Sequence, residues 1–273
     1  MPPDAPPSTI SGGSPSGSGP LRPVGAVRLL SAFTGEQSDP VRFYTLLAQD
    51  SVALVERHTP LAGARVADIG GGAGYFTAMF RQRGAQCLLV EPDADELFSQ
   101  GEPGQASATG ASVTGASVTG ASVIGDGYWL PLADASMDVC FSSNVLEHVR
   151  DPGGFIDEMI RVTRPGGLVY LSYTVWLSPW GGHESAPFHY LGGHYAARRY
   201  ARKHGHAPKN LFGQTMFPLG VGPVLALLRQ RKDIAVVEAR PRYYPRWCKF
   251  LIFAPGLREL VTWNLLVILR RTV

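Results

Sequence analysis

Short apolar runs alternate along this chain with stretches in which apolar residues recur every three or four positions. Residues 26–58 carry the first helical pattern. Within them, Asp39-Pro40 is a helix-start pair and the apolar spacing runs on to Val55, before Pro60 and Gly63 break it. Arg65–Gly70 predicts a strand that ends in a glycine run. Tyr75–Arg83 predicts a helix that stops at Gly84, with Arg81 and Arg83 in its last turn. Gln86–Val90 predicts a second strand closing on Glu91-Pro92, and Asp93–Phe98 the start of a further helix. Asp138–Ser143 is again strand-like. Asp151-Pro152 then supplies an N-cap and a first-turn proline to a helix with Phe155, Ile156, Met159 and Ile160 on one face. Arg164-Pro165-Gly166-Gly167 ends that helix and Leu168–Thr174 reads as the fifth strand.

Strands that alternate with helices predict a doubly wound, mostly parallel α/β sheet covered on both faces. Past residue 174 the alternation breaks. Residues 175–231 are rich in Gly, His and aromatics, with helices expected at Tyr195–His204 and Val221–Gln230. Ile234–Tyr244 and Thr262–Arg270 read as two last strands, with a short helix or turn near Pro255-Gly256 between them. They are close enough to pair antiparallel, for a seven-stranded sheet with an antiparallel last strand. Ala106–Gly125 is a tandem repeat of four five-residue units, ASATG, ASVTG, ASVTG and ASVIG. Units this short cannot build a solenoid. The last copy, Ala121–Gly125, is expected to be the third strand and the other copies to loop out.

With 273 residues, 45% of them hydrophobic, the chain can fill one α/β domain of roughly 200–250 residues plus a tail. The division expected is a disordered Pro/Ser/Gly-rich tail at 1–25 and a single domain at 26–273, with a repeat insert at 104–124 and a substrate-side insert at 175–231. A net charge of +3 lacks the basic excess of a nucleic-acid binder, so no nucleic-acid partner is expected. Cys87, Cys140 and Cys248 match no metal-ligand spacing; Cys87 and Cys140 sit in apolar runs, as buried small hydrophobes do. The start of the chain has neither the basic nor the apolar region of a secretory signal. No apolar run approaches the roughly 20 residues that span a bilayer. A cytoplasmic location is the expectation.

The densest chemistry lies in Val66-Ala-Asp68-Ile-Gly70-Gly71-Gly72-Ala-Gly74-Tyr75-Phe76. Glycines let a strand turn sharply into a helix and let backbone N–H groups approach a ligand. A nicotinamide dinucleotide uses such a loop for its pyrophosphate, which Asp68 would repel; the G-x-G-x-G spacing also departs from G-x-G-x-x-G. A carboxylate there suits the positively charged end of S-adenosylmethionine. Glu91, ending the second strand, can accept hydrogen bonds from both hydroxyls of a ribose. Asp126, just after the third strand, can accept from an adenine amino group. Ser143 and Asn144 end the fourth strand at the mouth of the sheet, where open α/β folds bind ligands.

Taken in order, VADIGGGAGYF, LLVEPD, GDGYWLPLADASMDVCFSSNVLEHV and EMIRVTRPGGLVYLSYT resemble the class I S-adenosylmethionine-dependent methyltransferases. The likeness is nearest the small-molecule and quinone-biosynthesis branch. WLSPWGGHESAPFHYLGG through KHGHAPKNLFG is similar to a subgroup of high-GC bacterial methyltransferases. The resemblance implies that Asp68, Gly70 and Gly72 hold the methionine part of the cofactor, with Gly74 closing the turn. It implies Glu91 on the ribose, Asp126 and the Gly127 backbone on adenine, Asn144 beside the methionine carboxylate or the acceptor, and Tyr44 closing over the cofactor.

A sulfonium methyl is already activated, so such an enzyme mainly positions its reactants in a dry pocket; a base is needed only where the acceptor must lose a proton. His148 of the Leu-Glu-His-Val run, and His183 or His189 of the insert, are the candidate catalytic residues. Their alternative is a packing role. His183, Glu184 and His189 fit no standard zinc spacing, and no metal is expected. Enzymes that methylate amino groups of nucleobases or glutamine usually carry an Asn/Asp-Pro-Pro-aromatic run after the fourth strand. Ser143-Asn144-Val145-Leu146 stands here instead, which favours O- or C-methylation of a small-molecule or lipid-like acceptor. Trp176, Trp180, Phe188 and Tyr190 would either line an acceptor pocket or form the insert's own core. Arg198, Arg199, Arg202 and Lys203 form a basic helix face, either merely solvated or drawn to an anionic substrate or membrane surface, so peripheral membrane contact is kept as a second partner. The competing readings are a non-catalytic S-adenosylmethionine-binding protein and, behind it, a NAD-dependent oxidoreductase. Oligomeric state is not legible.

Overall fold

A computed structural model describes residues 19, 21–35, 38–92 and 122–273 of the chain. Two helices, α1 (Ala26–Thr34) and α2 (Pro40–Glu56), precede β1 (Arg65–Ile69), α3 (Tyr75–Gln82) and β2 (Gln86–Glu91). Then come β3 (Ser122–Ile124), β4 (Met137–Ser143), α4 (Pro152–Val162) and β5 (Thr163–Thr174). The chain closes with α5 (Gly193–His204), α6 (Val221–Arg229), β6 (Ile234–Pro241), α7 (Leu257–Val261) and β7 (Asn264–Arg271). The strands form one seven-stranded sheet in the order β3-β2-β1-β4-β5-β7-β6. Strands β1 to β5 run parallel, and β7 is antiparallel to both of its neighbours. Strand order reverses between β1 and β4, so the crevice of this fold opens at their carboxyl ends.

The central strands are apolar on both faces because each face is covered. In β5, Leu168 and Tyr170 face one buried layer, with Phe43, Leu47, Phe80 and Phe141. Val169, Leu171 and Tyr173 face the other, with Ile156, Met159, Val224 and Leu228. Fully burying each such aliphatic side chain contributes about 1.5–3 kcal/mol, which overrides local breakers. The Pro165-Gly166-Gly167 turn is therefore absorbed into β5: Met137 pairs with Thr163, the register shifts, and Val139 pairs with Leu168. Helix starts follow their caps, since Asp39 accepts from the Arg42 amide and Asp151 from the Gly153 amide.

β3 lies in the last repeat copy, as expected, with Ser122, Val123 and Ile124 opposite Leu89, Val90 and Glu91. The helix expected at Asp93–Phe98, the other repeat copies and residues 1–18 lie outside the described residues. Two residues of the expected tail, Leu21 and Val24, bond to α2. Leu21 donates its amide to Glu56 Oε2 (2.8 Å) and Val24 to Asp50 Oδ1 (3.1 Å), both on α2.

Candidate functional site

The glycine loop joins β1 to α3 and is shaped by contacts that exclude side chains. Gly70 has φ +69°, and a β-carbon there would stand 2.5 Å from Val145 Cγ2. One on Gly71 would stand 2.3 Å from Leu89 Cδ1 and 2.5 Å from Asp68 Oδ2. Gly72 and Gly74 also take positive φ, and Gly74 caps α3. Beneath the loop, Asp68 is buried. Its Oδ2 accepts from Thr77 Oγ1 at 2.7 Å, and its Oδ1 has no partner. Burial pushes this carboxyl up to about 7, against the lowering effect of Thr77 and with a further push from Glu91. Glu91, also buried, ends β2 and accepts the Gly72 amide on Oε2 at 2.9 Å, which ties the second acid to the loop. A dehydrated, partly unsatisfied carboxyl under a turn of amides fits the cationic methionine end of a nucleoside sulfonium.

The other expected cofactor residues lie on the elements around the glycine loop or at the ends of β3 and β4. Tyr44 on α2 stacks on Tyr75, the first residue of α3, at 5.7 Å. Asp126 follows β3, is exposed, and accepts the Tyr128 amide at 3.0 Å. Gly127 is held against Phe155, whose Cε2 would stand 2.4 Å from an added β-carbon. Asn144 follows β4 in the left-handed region (φ +59°); its amide donates to Ser172 O, and its Oδ1 accepts from Asn264 Nδ2 at 2.8 Å.

Val145, which packs against Gly70, lies between the glycine loop and a second polar group. It precedes a single 3-10 turn, Leu146–His148. Glu147 is buried, with Oε1 accepting the Thr174 amide at 3.0 Å and Oε2 without a partner. The His148 ring lies 5.1 Å from that of His183, which comes from a 3-10 turn at His183–Ser185 and has φ +46°. His183 Nε2 is buried without a partner, and burial holds this ring below the ordinary imidazole value.

Of the three histidines expected, His148 and His183 thus meet. His189 sits elsewhere, buried in the segment between β5 and β6, with Nε2 3.1 Å from Ser178 O and its ring against Trp176. Glu184 accepts from Asn210 Nδ2 at 2.9 Å. Trp176 packs on Phe212, and Trp180 bridges Phe33 and Trp263; both are half-buried.

Sequence reading missed Glu147 as a member of this group, because it is marked only by the acid next to His148. It also missed Arg242. This residue is buried and donates to Ser172 Oγ (2.7 Å), Ser143 Oγ (3.1 Å) and Ser51 Oγ, bracing α2 against the ends of β4 and β5. An arginine at the end of an apolar run carries no local signal of such a role.

Residues 67–171 match the model of a methyltransferase domain family. A protein of Mycobacterium sp. (strain KMS) named "Uncharacterized methyltransferase" is 47% identical over 251 residues, 90% of this chain and 94% of that one. Among solved structures, an S-adenosylmethionine-dependent methyltransferase from Mesorhizobium loti aligns with TM-score 0.52 and 19% identity over 82% of this chain and 98% of its own. Geranyl diphosphate C-methyltransferase from Streptomyces coelicolor, solved with Mg2+, geranyl diphosphate and S-adenosylhomocysteine, aligns with TM-score 0.52 and 11% identity over 90% of this chain and 83% of its own. At such identities the structural likeness is one of fold.

Proposed function

The chain belongs to the class I S-adenosylmethionine-dependent methyltransferases, and from that premise we propose that it methylates a small-molecule or lipid-like acceptor at oxygen or carbon. The observation that carries this reading is the engagement of Asn144. An amino-methylating site would use a side-chain carbonyl after the fourth strand to hold the acceptor's amino group. Here that oxygen already accepts from Asn264 Nδ2.

S-adenosylmethionine supplies a methyl group already activated on sulfur. In this reading Asp68, with its partnerless Oδ1, and the amides of the Gly70–Gly74 loop hold the methionine end. Glu91 takes the ribose, Asp126 and Gly127 border adenine, and Tyr44 with Tyr75 covers the cofactor. His148 and His183, across Val145 from the glycine loop, orient the acceptor, and His189 holds the insert together. The protein's contribution is placement and exclusion of water.

The lipid-like option has its own support. Trp247, Phe250, Phe253, Leu257 and Leu260 are each about half or more exposed, between 48% and 70%, with Arg246 and Lys249 among them. Such interleaving suits peripheral contact with an anionic membrane surface. Among the described residues no helix is long and apolar enough to cross a membrane.

The test is calorimetric titration with S-adenosylhomocysteine, with NAD and an Asp68→Ala variant as controls, followed by a search for labelled methyl product. Micromolar binding abolished by Asp68→Ala, and product labelled on oxygen or carbon, is the expected result. A labelled amine product would overturn the acceptor class, and failure to bind S-adenosylhomocysteine would overturn the cofactor site.

A further inference from the structure

Glu147, His148 and His183 each present one atom that can ligate a metal ion, and those atoms lie within 4.8 Å of one another. Two atoms of these residues are stranded: Glu147 Oε2 and His183 Nε2 are buried with no hydrogen-bond partner. A buried carboxylate oxygen left unpaired is costly, and here a second stranded acceptor-capable atom lies in the same group.

The third ligand is already prepared. His148 Nδ1 lies 2.7 Å from the carbonyl oxygen of Thr215. A carbonyl can only accept, so Nδ1 carries the proton and Nε2 presents a lone pair. A backbone carbonyl on the far nitrogen is the usual support of a metal-binding imidazole. The carboxylate is supported in the same way, since the Thr174 amide holds Glu147 Oε1 and the Phe217 amide holds the Glu147 carbonyl. His183 is aimed by a strained backbone. A non-glycine residue at φ +46° persists only where its surroundings over-determine it, as at ligand clamps.

We propose that Glu147, His148 and His183 form a binding site for one divalent transition-metal ion of the zinc class. Two imidazoles and one carboxylate suit Zn2+, Fe2+ or Co2+ over Mg2+ or Ca2+, which take oxygen donors. Bonds of about 2.0–2.2 Å place neighbouring tetrahedral ligands roughly 3.3 Å apart, so the group closes slightly on binding. Three protein ligands leave a fourth position free. It takes an oxygen of the acceptor, of the phenol, enol or hydroxy-acid class. That last step rests on the oxygen or carbon methylation proposed above, whereas the ion site does not.

The experiment uses the full chain, stripped with a chelator and titrated with Co2+. The expected result is one equivalent bound with visible d–d bands and displacement by Zn2+. Glu147→Gln and His183→Ala each weaken Co2+ binding at least about tenfold, while S-adenosylhomocysteine affinity and thermal unfolding report whether the variants are folded. Glu147→Gln preserves shape and keeps the test decisive should His183→Ala unfold. His189→Ala binds Co2+ as the wild type does. No Co2+ binding by the wild type, or binding unchanged in folded Glu147→Gln, would overturn the site. Co2+ binding without S-adenosylhomocysteine binding would support the ion site and count against the cofactor site instead.

Discussion

The two halves of the crevice are built by different means. The half under β1 and β2 is local: Asp68, the glycine loop, Thr77 and Glu91 span 24 residues, and their fixed groups are backbone amides and short side-chain bonds. The half beyond β4 draws Glu147 and His148 from one turn, Thr174 from the end of β5, His183 from a later turn and Thr215 from later still. A local, backbone-built site leaves a readable spacing. A site assembled across the fold leaves single residues whose partners only the fold reveals. This difference is why the cofactor could be named before the structure and the acceptor could not.

The sharpest way to break the comparison is to fill the loop. Gly71→Val would push a side chain onto Leu89 and Asp68. S-adenosylhomocysteine affinity is expected to fall more than about 100-fold, with an overpacking cost of about 1–3 kcal/mol in thermal unfolding. Retention of near wild-type affinity would show that the ligand does not approach the loop.

Asp68→Asn comes next. Burial raises this carboxyl from 3.8 to about 7. A raised folded-state value means that its contribution to stability is fully present below the unfolded value near 3.8 and is lost as pH rises through about 7, an effect on the order of 4 kcal/mol at most. The ligand-free wild type should therefore lose stability between about pH 4 and 7 relative to Asp68→Asn, in which that component of the slope vanishes. The variant should bind S-adenosylhomocysteine about 10- to 100-fold more weakly, as expected for a lost hydrogen bond to a charged group. Urea unfolding at several pH values checks the first statement and calorimetry the second. Parallel pH profiles for the two proteins would mean that Asp68 is no more strained than an exposed acid.

Both outcomes bear on how much was legible. The order of strands and helices followed from apolar period and caps, because burial on both faces enforces the same pattern that the sequence displays. The Pro165-Gly166-Gly167 turn misled only about the start of β5, since ladder pairing on either side outweighs a local break. His183 and His189 could not be told apart in sequence: both are histidines in a glycine-rich, aromatic segment. The fold separates them, placing one ring against Trp176 and the Ser178 carbonyl and the other beside His148 and Glu147.

That separation is itself measurable. His189→Ala removes a buried ring that also meets Gly182, whose added β-carbon would stand 2.6 Å from it. It should cost about 1–3 kcal/mol of stability and leave S-adenosylhomocysteine affinity unchanged. His183→Ala removes a stranded nitrogen from a backbone already in a left-handed turn, so its stability change should stay within about 1 kcal/mol. Equal losses in the two variants would erase the distinction between a structural and a site histidine.

The smallest effect concerns the repeats. β3 needs only Ser122–Ile124 for its pairing with β2, and the Gly125 amide donates to the Glu91 carbonyl just before Asp126. Deleting residues 106–120 removes three copies and shortens the connection between Pro92 and Ser122 from 29 residues to 14. Loop-closure entropy changes by only about 0.6 kcal/mol for each doubling of length, so stability should rise by roughly that amount. Affinity for S-adenosylhomocysteine should stay within about twofold, or 0.4 kcal/mol. A tenfold loss would mean that the register of β3, and with it the place proposed for Asp126 beside the adenine, depends on the copies that precede it. The adenine end would then join the acceptor half as a part of the crevice whose residues cannot be read from their own neighbourhood.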